Sequence, residues 1–259
     1  MTTPEPGPLE IERRGALVVL RFNRAKKRNA VNDALIGALD EAVLGLDPAV
    51  RVLVLAGVGE HFCAGLDLSE HKERDAFATV EHSRMWHRVL DGLQYGTRPV
   101  VAALHGAVIG GGLEIASACH VRVADKTAFY QLPEGRRGIF VGGGASVRTA
   151  RIIGTGRMVE MMLTGRTLDA ATGQALGLSH ELVEPGQAFL RALELAETVA
   201  GNAPMSNYMI LQALARIADM PAEGGLLTES FAAALTQTSA DARRGIQAFL
   251  DKKAAKFGE

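Results

Sequence analysis

Cysteine is scarce in this 259-residue chain, which carries only Cys63 and Cys119. Two cysteines without metal-ligand spacing argue against a zinc motif and against a disulfide-rich scaffold, so we expect a reducing, cytoplasmic environment. The N-terminal residues lack both the basic stretch and the apolar stretch of a secretory signal. No apolar run approaches the roughly 18 residues of a membrane-spanning helix. Together these absences predict a globular protein that neither crosses a membrane nor depends on disulfides.

Charge of one sign is not in excess either, because the formal net charge is -1. A chain without a broad basic surface gives no reason to expect a nucleic acid partner. Two local clusters stand out: residues 21–28 hold five basic residues and no acid, and residues 243–256 hold five basic residues against Asp251 alone. Each cluster is interpreted either as a solvated surface or as a contact for phosphate groups.

Apolar runs and turn residues predict the fold class. Four apolar runs predict strands: 16–22, 51–57, 99–104 and 121–130. Pro133 is expected to end the last strand, and Asp33 is expected to cap a helix with apolar residues at helical spacing. Strands without polar alternation, separated by helices, are typical of parallel sheets covered on both faces. The pattern therefore predicts an α/β protein.

The second half of the chain reads mainly as helix. A helix over residues 157–163 is expected to end at Gly165, and Asp169 is expected to cap a short helix closed by Gly177. The Asn-Ala-Pro sequence at 202–204 predicts a boundary between a core of residues 1–202, which holds the active site, and a helical segment of residues 203–259. A segment this short packs on the core or on a neighbouring subunit, because it cannot form a large core alone.

A glycine-rich turn is the most informative local feature. An apolar strand runs into Gly110, Gly111 and Gly112, and a helix-like segment carrying Glu114 follows at once. Glycines leave backbone N–H groups uncovered, and a helix start adds unpaired N–H groups, so the turn is suited to bind negative charge. The simpler interpretation is a tight strand-to-helix turn with a favourable first-turn acid. A nucleotide-binding loop is disfavoured, because neither common phosphate-binding motif is present.

Two further segments gain meaning only beside this turn. Residues 60–70 carry Ala64, Gly65 and Asp67, and alone read as a loop with a capping aspartate. Residues 129–148 carry Glu134 after a proline and a second run of three glycines, and alone read as a solvated turn followed by a flexible loop.

In this order and spacing, the segments resemble those of the enoyl-CoA hydratase/isomerase (crotonase) family. The matching motifs are FCAGLDL at 62–68, GGGLE at 110–114, LPE at 132–134, MVEMMLTG at 158–165, QALGL at 174–178 and AFLDKKAAKF at 248–257. The resemblance implies a crotonase-like spiral of ββα units with a helical C-terminal oligomerisation segment. It also implies a homotrimer, or a hexamer built as a dimer of trimers, that acts on an acyl-CoA thioester. No separate cofactor or metal is expected, because coenzyme A is part of the substrate.

The resemblance further assigns roles to particular positions. The backbone N–H groups of Leu66 and Gly111 are expected to form an oxyanion hole for the thioester carbonyl. Glu114 is expected to act as the base on water, and Glu134 as the acid at C2. Gly142 matches a glycine whose N–H approaches that water.

Coenzyme A contacts are also implied by the resemblance. They fall on Lys26, Asn29, Ala30, Ala64, Asp67, Phe249 and Lys252, with Phe249 and Lys252 contributed by an adjacent subunit. Three positions depart from the hydratase pattern, because Arg136, Arg137 and Val141 replace apolar residues and a proline near Glu134. The two arginines are interpreted either as surface residues or as contacts for a polar or acidic acyl group.

Hydration of a 2-enoyl-CoA is the leading functional hypothesis, and the presence of both glutamates favours it. Double-bond isomerisation is the nearest alternative, since it needs the same oxyanion hole but a single acid/base. Hydratase-lyase action on another acyl group stays open, as does a non-catalytic protein that binds CoA esters or RNA.

Overall fold

In the computed structural model, the described residues are 7–70, 73–255 and 257, and they form two sheets surrounded by helices. Three predicted strands are confirmed to within one residue at either end: Leu17–Phe22, Val52–Gly57 and Val100–Leu104. Residues 1–6, 71 and 72 of the predicted core lie outside the described residues. Residues 256, 258 and 259 of the predicted helical segment also lie outside them.

The larger sheet has six strands in the order β1-β2-β3-β4-β6-β9. They are β1 (Leu9–Arg14), β2 (Leu17–Phe22), β3 (Val52–Gly57), β4 (Val100–Leu104), β6 (Val121–Asp125) and β9 (Glu181–Val183). The first two strands pair antiparallel and every later pair is parallel. The parallel α/β arrangement expected from the apolar runs is therefore confirmed.

Alternate residues of the central strands enter two separate cores, because successive side chains point to opposite faces of a sheet. Val52 and Val54 pack with Ala192 of helix α7 (Ala188–Ala200) on one face. Leu53 and Leu55 pack into the larger core on the other face. Both faces are covered, which explains why these strands lack polar alternation.

The smaller sheet lies next to the predicted glycine turn. Its strands are β5 (Ala107–Ile109), β7 (Phe129–Gln131) and β8 (Leu168–Asp169). Strand β5 pairs parallel with β7, and Ile109 lies opposite Gln131. The Gly110 N–H extends this pairing by donating to the Gln131 carbonyl at 2.9 Å. The segments that precede Glu114 and Glu134 are thus hydrogen-bonded to each other.

Two local predictions are wrong. The single strand predicted over 121–130 is two strands, β6 and β7, in different sheets. Asp125 ends the first strand, because its carboxylate accepts a hydrogen bond from the Thr127 N–H at 2.9 Å and turns the chain. The cap of the first helix is Asn32 rather than Asp33, since the Asn32 side chain accepts from the Leu35 N–H at 3.0 Å.

Helices account for most of the second half. The helices before Asn202 are α1 (Asp33–Leu44), α2 (Ala76–Gln94), α3 (Gly111–Ser117), α4 (Ala145–Ile153), α5 (Thr155–Thr164), α6 (Ala170–Ala175) and α7. Those after it are α8 (Pro204–Met209), α9 (Ala215–Ile217), α10 (Ala222–Gln237) and α11 (Ala240–Leu250), with one π-helical turn, Ile210–Leu214. There are also two 3₁₀ turns, Ala25–Lys27 and Glu134–Arg137.

The predicted helix ends near Gly165 and Asp169 are confirmed. Gly165 follows the last residue of α5 in the left-handed region, with φ +59°, and Asp169 accepts from the Thr172 N–H at 2.7 Å. After Pro204 the described residues contain helices and turns but no strand. No helix among the residues described here combines the length and apolarity needed to cross a bilayer. The division at residue 202 stays a prediction.

Candidate active site

A cavity of about 510 Å³ opens between helix α2, the glycine turn and the loop before α4. Its wall includes Leu66, Gly111, Glu114, Glu134 and Gly142. These five positions come from three separate segments of the sequence. The fold therefore brings together the two expected oxyanion positions, the two expected acids and the expected water-positioning glycine.

The glycine turn requires glycine for two different reasons. Gly110 has φ +50°, a conformation that side chains rarely tolerate. Gly112 lies so close to the neighbouring loop that a Cβ atom there would approach the Cys63 carbonyl oxygen to 2.4 Å. The same close packing places the 63–66 loop directly against the start of α3.

Two backbone N–H groups remain available at this contact. Among the hydrogen bonds of the described residues, neither the Leu66 N–H nor the Gly111 N–H has an acceptor. A Cβ atom on Gly111 would lie 3.6 Å from the Leu66 nitrogen, so the two groups are close neighbours. A pair of unpaired donors at a cavity wall is suited to bind an oxygen that carries negative charge.

The carboxylate of Glu114 is buried and held by the facing loop. Its Oε1 accepts hydrogen bonds from the Gly143 N–H at 2.7 Å and the Ala145 N–H at 3.1 Å. Burial raises the pKa of Glu114 above its usual value, whereas the N–H donors of Ala145 and Gly143 oppose that rise. The side chain is therefore oriented by backbone donors, while burial favours its protonation.

Glu134 lies across the turn from Gly110. A Cβ atom on Gly110 would come within 3.0 Å of Glu134 Oε1, and Glu134 Oε2 is buried without a hydrogen-bond partner among the described residues. Burial, with a smaller contribution from the Glu114 charge, raises the pKa of Glu134 to about 7. A carboxyl with this pKa exchanges protons readily near neutral pH.

The helix that follows Glu134 begins at Ala145, three residues after Gly142. Gly144 precedes the helix with φ +106°, and the Gly142 carbonyl accepts a hydrogen bond from the Ser83 hydroxyl at 2.6 Å. It is the Gly143 N–H that reaches Glu114. Gly142 lines the cavity, and its predicted role toward water stays a prediction.

Two residues that the sequence analysis missed support this loop. Arg148 is buried, and its guanidinium donates to the Gly143 carbonyl at 2.9 Å while pairing with Asp91. Trp86 packs between the glycine segments, since Cβ atoms on Gly111 and Gly143 would approach its ring to 3.1 and 3.0 Å. Helical apolar spacing in α2 would indicate that Trp86 is buried, but no local signal indicates which loop it contacts.

The residues expected to bind the nucleotide form a tight turn outside this cavity. Lys26 is exposed in the 3₁₀ turn, and Ala30 is half-buried. The Asn29 side chain is buried and bonded to the backbone of Arg24, Val58 and His61 at 2.7–2.9 Å. Asn29 therefore stabilises the turn, and its own N–H is bonded to the Arg24 carbonyl at 3.0 Å.

The remaining predicted contacts are divided between two regions. Ala64 donates its N–H to the Arg28 carbonyl at 3.0 Å, which connects the 63–66 loop to the basic turn at residues 24–28. Hydrogen bonds from Ser69, together with the Arg24 guanidinium, lower the pKa of Asp67 to about 2, so this buried carboxylate is ionised. Phe249 and Lys252 are exposed on and after α11 and do not line the cavity. Within one chain, the fold does not bring these two residues to the site.

Metal and thiol chemistry find little support in the described residues. These residues contain no group of three or more His, Cys, Asp or Glu placed to hold a metal ion. Cys63 and Cys119 are fully buried, and burial raises the pKa of both thiols to about 12. Thiols with so high a pKa are poor nucleophiles at neutral pH.

A parallel sheet covered on both faces, a small sheet whose strands precede two buried acids, and a pair of free N–H groups define a protein of the crotonase fold class. The chain belongs to the enoyl-CoA hydratase/isomerase family, whose model matches residues 12–259. The family resemblance and the fold class inferred from the sequence are thereby confirmed.

Named relatives extend along nearly the whole chain. An enoyl-CoA hydratase of Mycobacterium tuberculosis is 32% identical over 263 residues and covers 99% of both chains. The 2,3-dehydroadipyl-CoA hydratase of Escherichia coli is 32% identical, over 96% of this chain and 98% of its own. A crystal structure from Rhodopseudomonas palustris, provisionally named an enoyl-CoA hydratase, is 51% identical with a TM-score of 0.93 and covers 95% of each chain.

Proposed function

We propose that this protein is an enoyl-CoA hydratase, which reversibly adds water to a 2-enoyl-CoA thioester to give the 3-hydroxyacyl-CoA. The observation that carries the proposal is the presence of two buried glutamates, Glu114 and Glu134, in the wall of one cavity. The free N–H groups of Leu66 and Gly111 line the same cavity. The hydratase names of relatives about 30% identical to this chain give additional support.

The oxyanion hole addresses the main electrostatic problem of this reaction. As a hydroxyl adds to C3, electrons of the double bond move toward the thioester carbonyl oxygen and generate an enolate. The N–H groups of Leu66 and Gly111 donate to that oxygen, and each such donor contributes on the order of 10²–10³ in rate. The thioester carbonyl is therefore seated between the 63–66 loop and the start of α3.

The two glutamates divide the proton transfers. Glu114 takes a proton from water as the water oxygen bonds to C3, and Glu134 delivers a proton to C2 of the enolate. Each transfer contributes about 10²–10⁴ in rate. A Glu134 pKa of about 7 leaves a large protonated fraction at neutral pH, as an acid requires. The two carboxyls titrate as a coupled pair. After one turnover Glu114 holds a proton and Glu134 lacks one, so a proton passed from Glu114 to Glu134 restores the starting state.

Isomerisation of the double bond is the second candidate. It requires one group that moves a proton within the substrate, and Glu134 is suited to this because no described residue forms a hydrogen bond with its Oε2. Glu114, by contrast, is bonded to two backbone donors. The two candidates differ in product mass, because hydration adds one water and isomerisation adds nothing.

A panel of CoA thioesters tests this proposal. The purified protein is incubated with 2-enoyl and 3-enoyl thioesters while the 2-enoyl absorbance is followed and the products are weighed by mass spectrometry. Loss of absorbance with a gain of one water supports hydratase activity. Conversion of 3-enoyl to 2-enoyl thioester without a mass change supports isomerase activity. Absence of both reactions across the panel contradicts the proposal.

The assembly proposed for this enzyme is a homotrimer, or a dimer of trimers. The C-terminal helices expose large apolar side chains that the single chain leaves uncovered: Leu226, Leu227, Phe231, Leu235 and Phe249. Exposed apolar surface of this kind is typical of a subunit interface. Such an interface is also the route by which Phe249 and Lys252 of one subunit would reach a ligand on its neighbour.

A further inference from the structure

Two guanidinium groups lie in the wall of the catalytic cavity. Arg84 projects from helix α2, and Arg137 lies at the end of the 3₁₀ turn that begins with Glu134. Neither forms an ion pair with a carboxylate of the described residues, and the nearest polar contact of Arg84 is His87 Nδ1 at 3.5 Å. Both cations are therefore available to a ligand in the cavity.

The other polar side chains of this wall, apart from the two acids, are already engaged by the protein. The Thr79 hydroxyl donates to the Asp75 carbonyl at 2.8 Å, and the Ser83 hydroxyl donates to the Gly142 carbonyl at 2.6 Å. His82 bonds to Asp33 at 3.0 Å. Arg84 and Arg137 thus differ from these neighbours in the wall, because both are exposed and no ion pair among the described residues holds either guanidinium. The positive charge of Arg137 does act on Glu134, where it partly offsets the rise in the pKa of that carboxyl.

The adjacent Arg136 shows that this placement is not a general property of the turn. Its guanidinium donates to the Thr164 carbonyl at the end of α5, and it does not line the cavity. The same cavity wall also carries five apolar side chains: Leu68, Val80, Ile139, Phe140 and Val141. A hydrocarbon chain fits such a wall, but it offers no partner for two positive charges.

We propose that the acyl group of the substrate carries a carboxylate at the end remote from the thioester, and that Arg137 and Arg84 bind it. This inference rests on the proposed hydratase function and specifies its substrate class. Guanidinium groups bind carboxylates through paired, charge-assisted hydrogen bonds. The apolar wall contacts the methylene groups between the double bond and the carboxylate. The product is then a 3-hydroxyacyl-CoA that retains this free carboxylate.

The phosphates of coenzyme A are the competing ligand for these cations. The basic turn at residues 24–28 is the segment where the family resemblance locates the nucleotide, and no residue of that turn lines this cavity. The cavity is instead shared with the two acids that act on the acyl double bond. The position of Arg137 therefore favours an acyl contact over a phosphate contact.

The test compares two thioesters that differ only at the remote end, 2-hexenoyl-CoA and hex-2-enedioyl-CoA. We expect wild-type kcat/KM to be about tenfold or more higher for the dicarboxylic thioester, as charged hydrogen bonds predict. Arg137→Gln should remove most of this preference, and Arg137→Lys should retain part of it. Arg136→Gln removes the same charge from the same turn outside the cavity, and should keep the preference. A ratio of two rates cancels any loss of folded enzyme.

Binding of the saturated analogues separates this inference from the hydratase proposal. Calorimetry with hexanoyl-CoA and adipyl-CoA measures the same preference without turnover, and we expect adipyl-CoA to bind the tighter. Equal or weaker binding of adipyl-CoA overturns the inference, even if 2-hexenoyl-CoA is hydrated. An equal loss of affinity for both analogues in Arg137→Gln also overturns it, since the arginine then binds coenzyme A. Tighter adipyl-CoA binding without hydration of either enoyl thioester supports the carboxylate site and contradicts the hydratase proposal.

Discussion

The Gly143 N–H donates to Glu114 Oε1 at 2.7 Å, so a glycine of the loop before α4 orients the carboxylate in the first turn of α3. A Cβ atom on Gly143 would lie 2.9 Å from Glu114 Oε2 and 3.0 Å from the Trp86 ring. We predict that Gly143→Ala displaces Glu114 and lowers kcat by about 100-fold, because small misplacements of catalytic groups have effects of that size. Steady-state hydration rates measure the effect.

Gly156→Ala is the matched control for this change. Gly156 lies in exposed helix α5, where an added Cβ meets nothing within 4 Å. The control should keep wild-type turnover and gain up to about 1 kcal/mol of stability, as alanine does in a helix. Wild-type rates in Gly143→Ala would show that the loop yields and that its N–H does not orient the acid.

Conservative replacement of the two glutamates tests their proposed roles. We predict that Glu114→Gln and Glu134→Gln each lower kcat by about 100-fold or more, since each removes one acid/base group. Affinity for a saturated acyl-CoA should change little, because glutamine keeps the size of the side chain. Calorimetry and steady-state kinetics measure both quantities.

The pattern across these two variants distinguishes the candidate reactions. Loss of turnover in both variants supports hydration. If only Glu134 is essential, isomerisation becomes the better description, because one group then moves the proton. Near-wild-type hydration in either variant removes that glutamate from the mechanism.

The raised pKa of Glu134 predicts a pH dependence of activity and of stability. Its pKa is about 7 in the folded protein against 4.5 in the unfolded chain, mainly because of burial. As the acid, Glu134 must be protonated, so kcat/KM should fall as pH rises above about 7. A pH–rate profile that stays flat from 6 to about 8.5 would contradict this assignment.

Stability should change in the same direction, because the folded pKa lies above the unfolded one. The neutral carboxyl favours the folded state below pH 4.5, and this contribution is lost as pH rises from 4.5 to about 7. Glu134→Gln cannot ionise. The Tm of the variant should therefore rise relative to that of wild type across this interval, in scans of both proteins at matched pH.

Arg148 is predicted to act as a positioning residue for the Glu114 loop. Arg148→Leu leaves the Gly143 carbonyl without its charged donor and should lower the free energy of unfolding by about 2 kcal/mol. It should also lower kcat more than it raises KM, because the loop orients Glu114. Arg151→Leu is the control, as its ion pair with Asp219 is exposed and worth at most about 1 kcal/mol. Equal effects of the two variants on kcat would contradict the positioning role.

The C-terminal helices predict the assembly. Phe231 on α10 is 61% exposed in the single chain. We predict that wild type sediments as a trimer or hexamer at micromolar concentration, and that Phe231→Asp shifts it toward smaller species. Leu44, at the end of α1, is a similarly exposed apolar residue outside the C-terminal segment, so Leu44→Asp should leave the assembly unchanged. A monomeric wild-type protein would contradict the proposed interface.

Sequence patterns predicted the parts of the fold that depend on local composition. The central strands were identified because burial on both faces leaves continuous apolar runs, such as residues 52–56. The break at Asp125 was missed, because apolar residues lie on both sides of it and the turn depends on hydrogen bonds that the Asp125 side chain accepts from Thr127. The sequence does not distinguish Asp33 from its neighbour Asn32 as the cap, because both residue types accept equally well at that position.

The residues of the candidate site were also predicted only in part. Glu114 and Glu134 were predicted because the turns that contain them resemble those of the family, and both line the cavity. Arg148 and Trp86 were missed because their contacts join segments far apart in the chain, and no local spacing encodes such contacts. The different orientations of Arg136 and Arg137 likewise depend on the packing of α5 beside the turn.

The pairing of β5 with β7 has a consequence for how this sequence tolerates change in length. Ile109 lies opposite Gln131, and each of these paired residues is followed within a few positions by one of the two glutamates. The two glutamates are 20 positions apart in the sequence. Substitutions that keep the strands apolar leave the two acids in place. An insertion or deletion within β7 would instead shift the residues after it by one position and turn their side chains to the opposite face of the sheet. The spacing of the two glutamates along the chain is therefore more constrained than the identity of the residues between them.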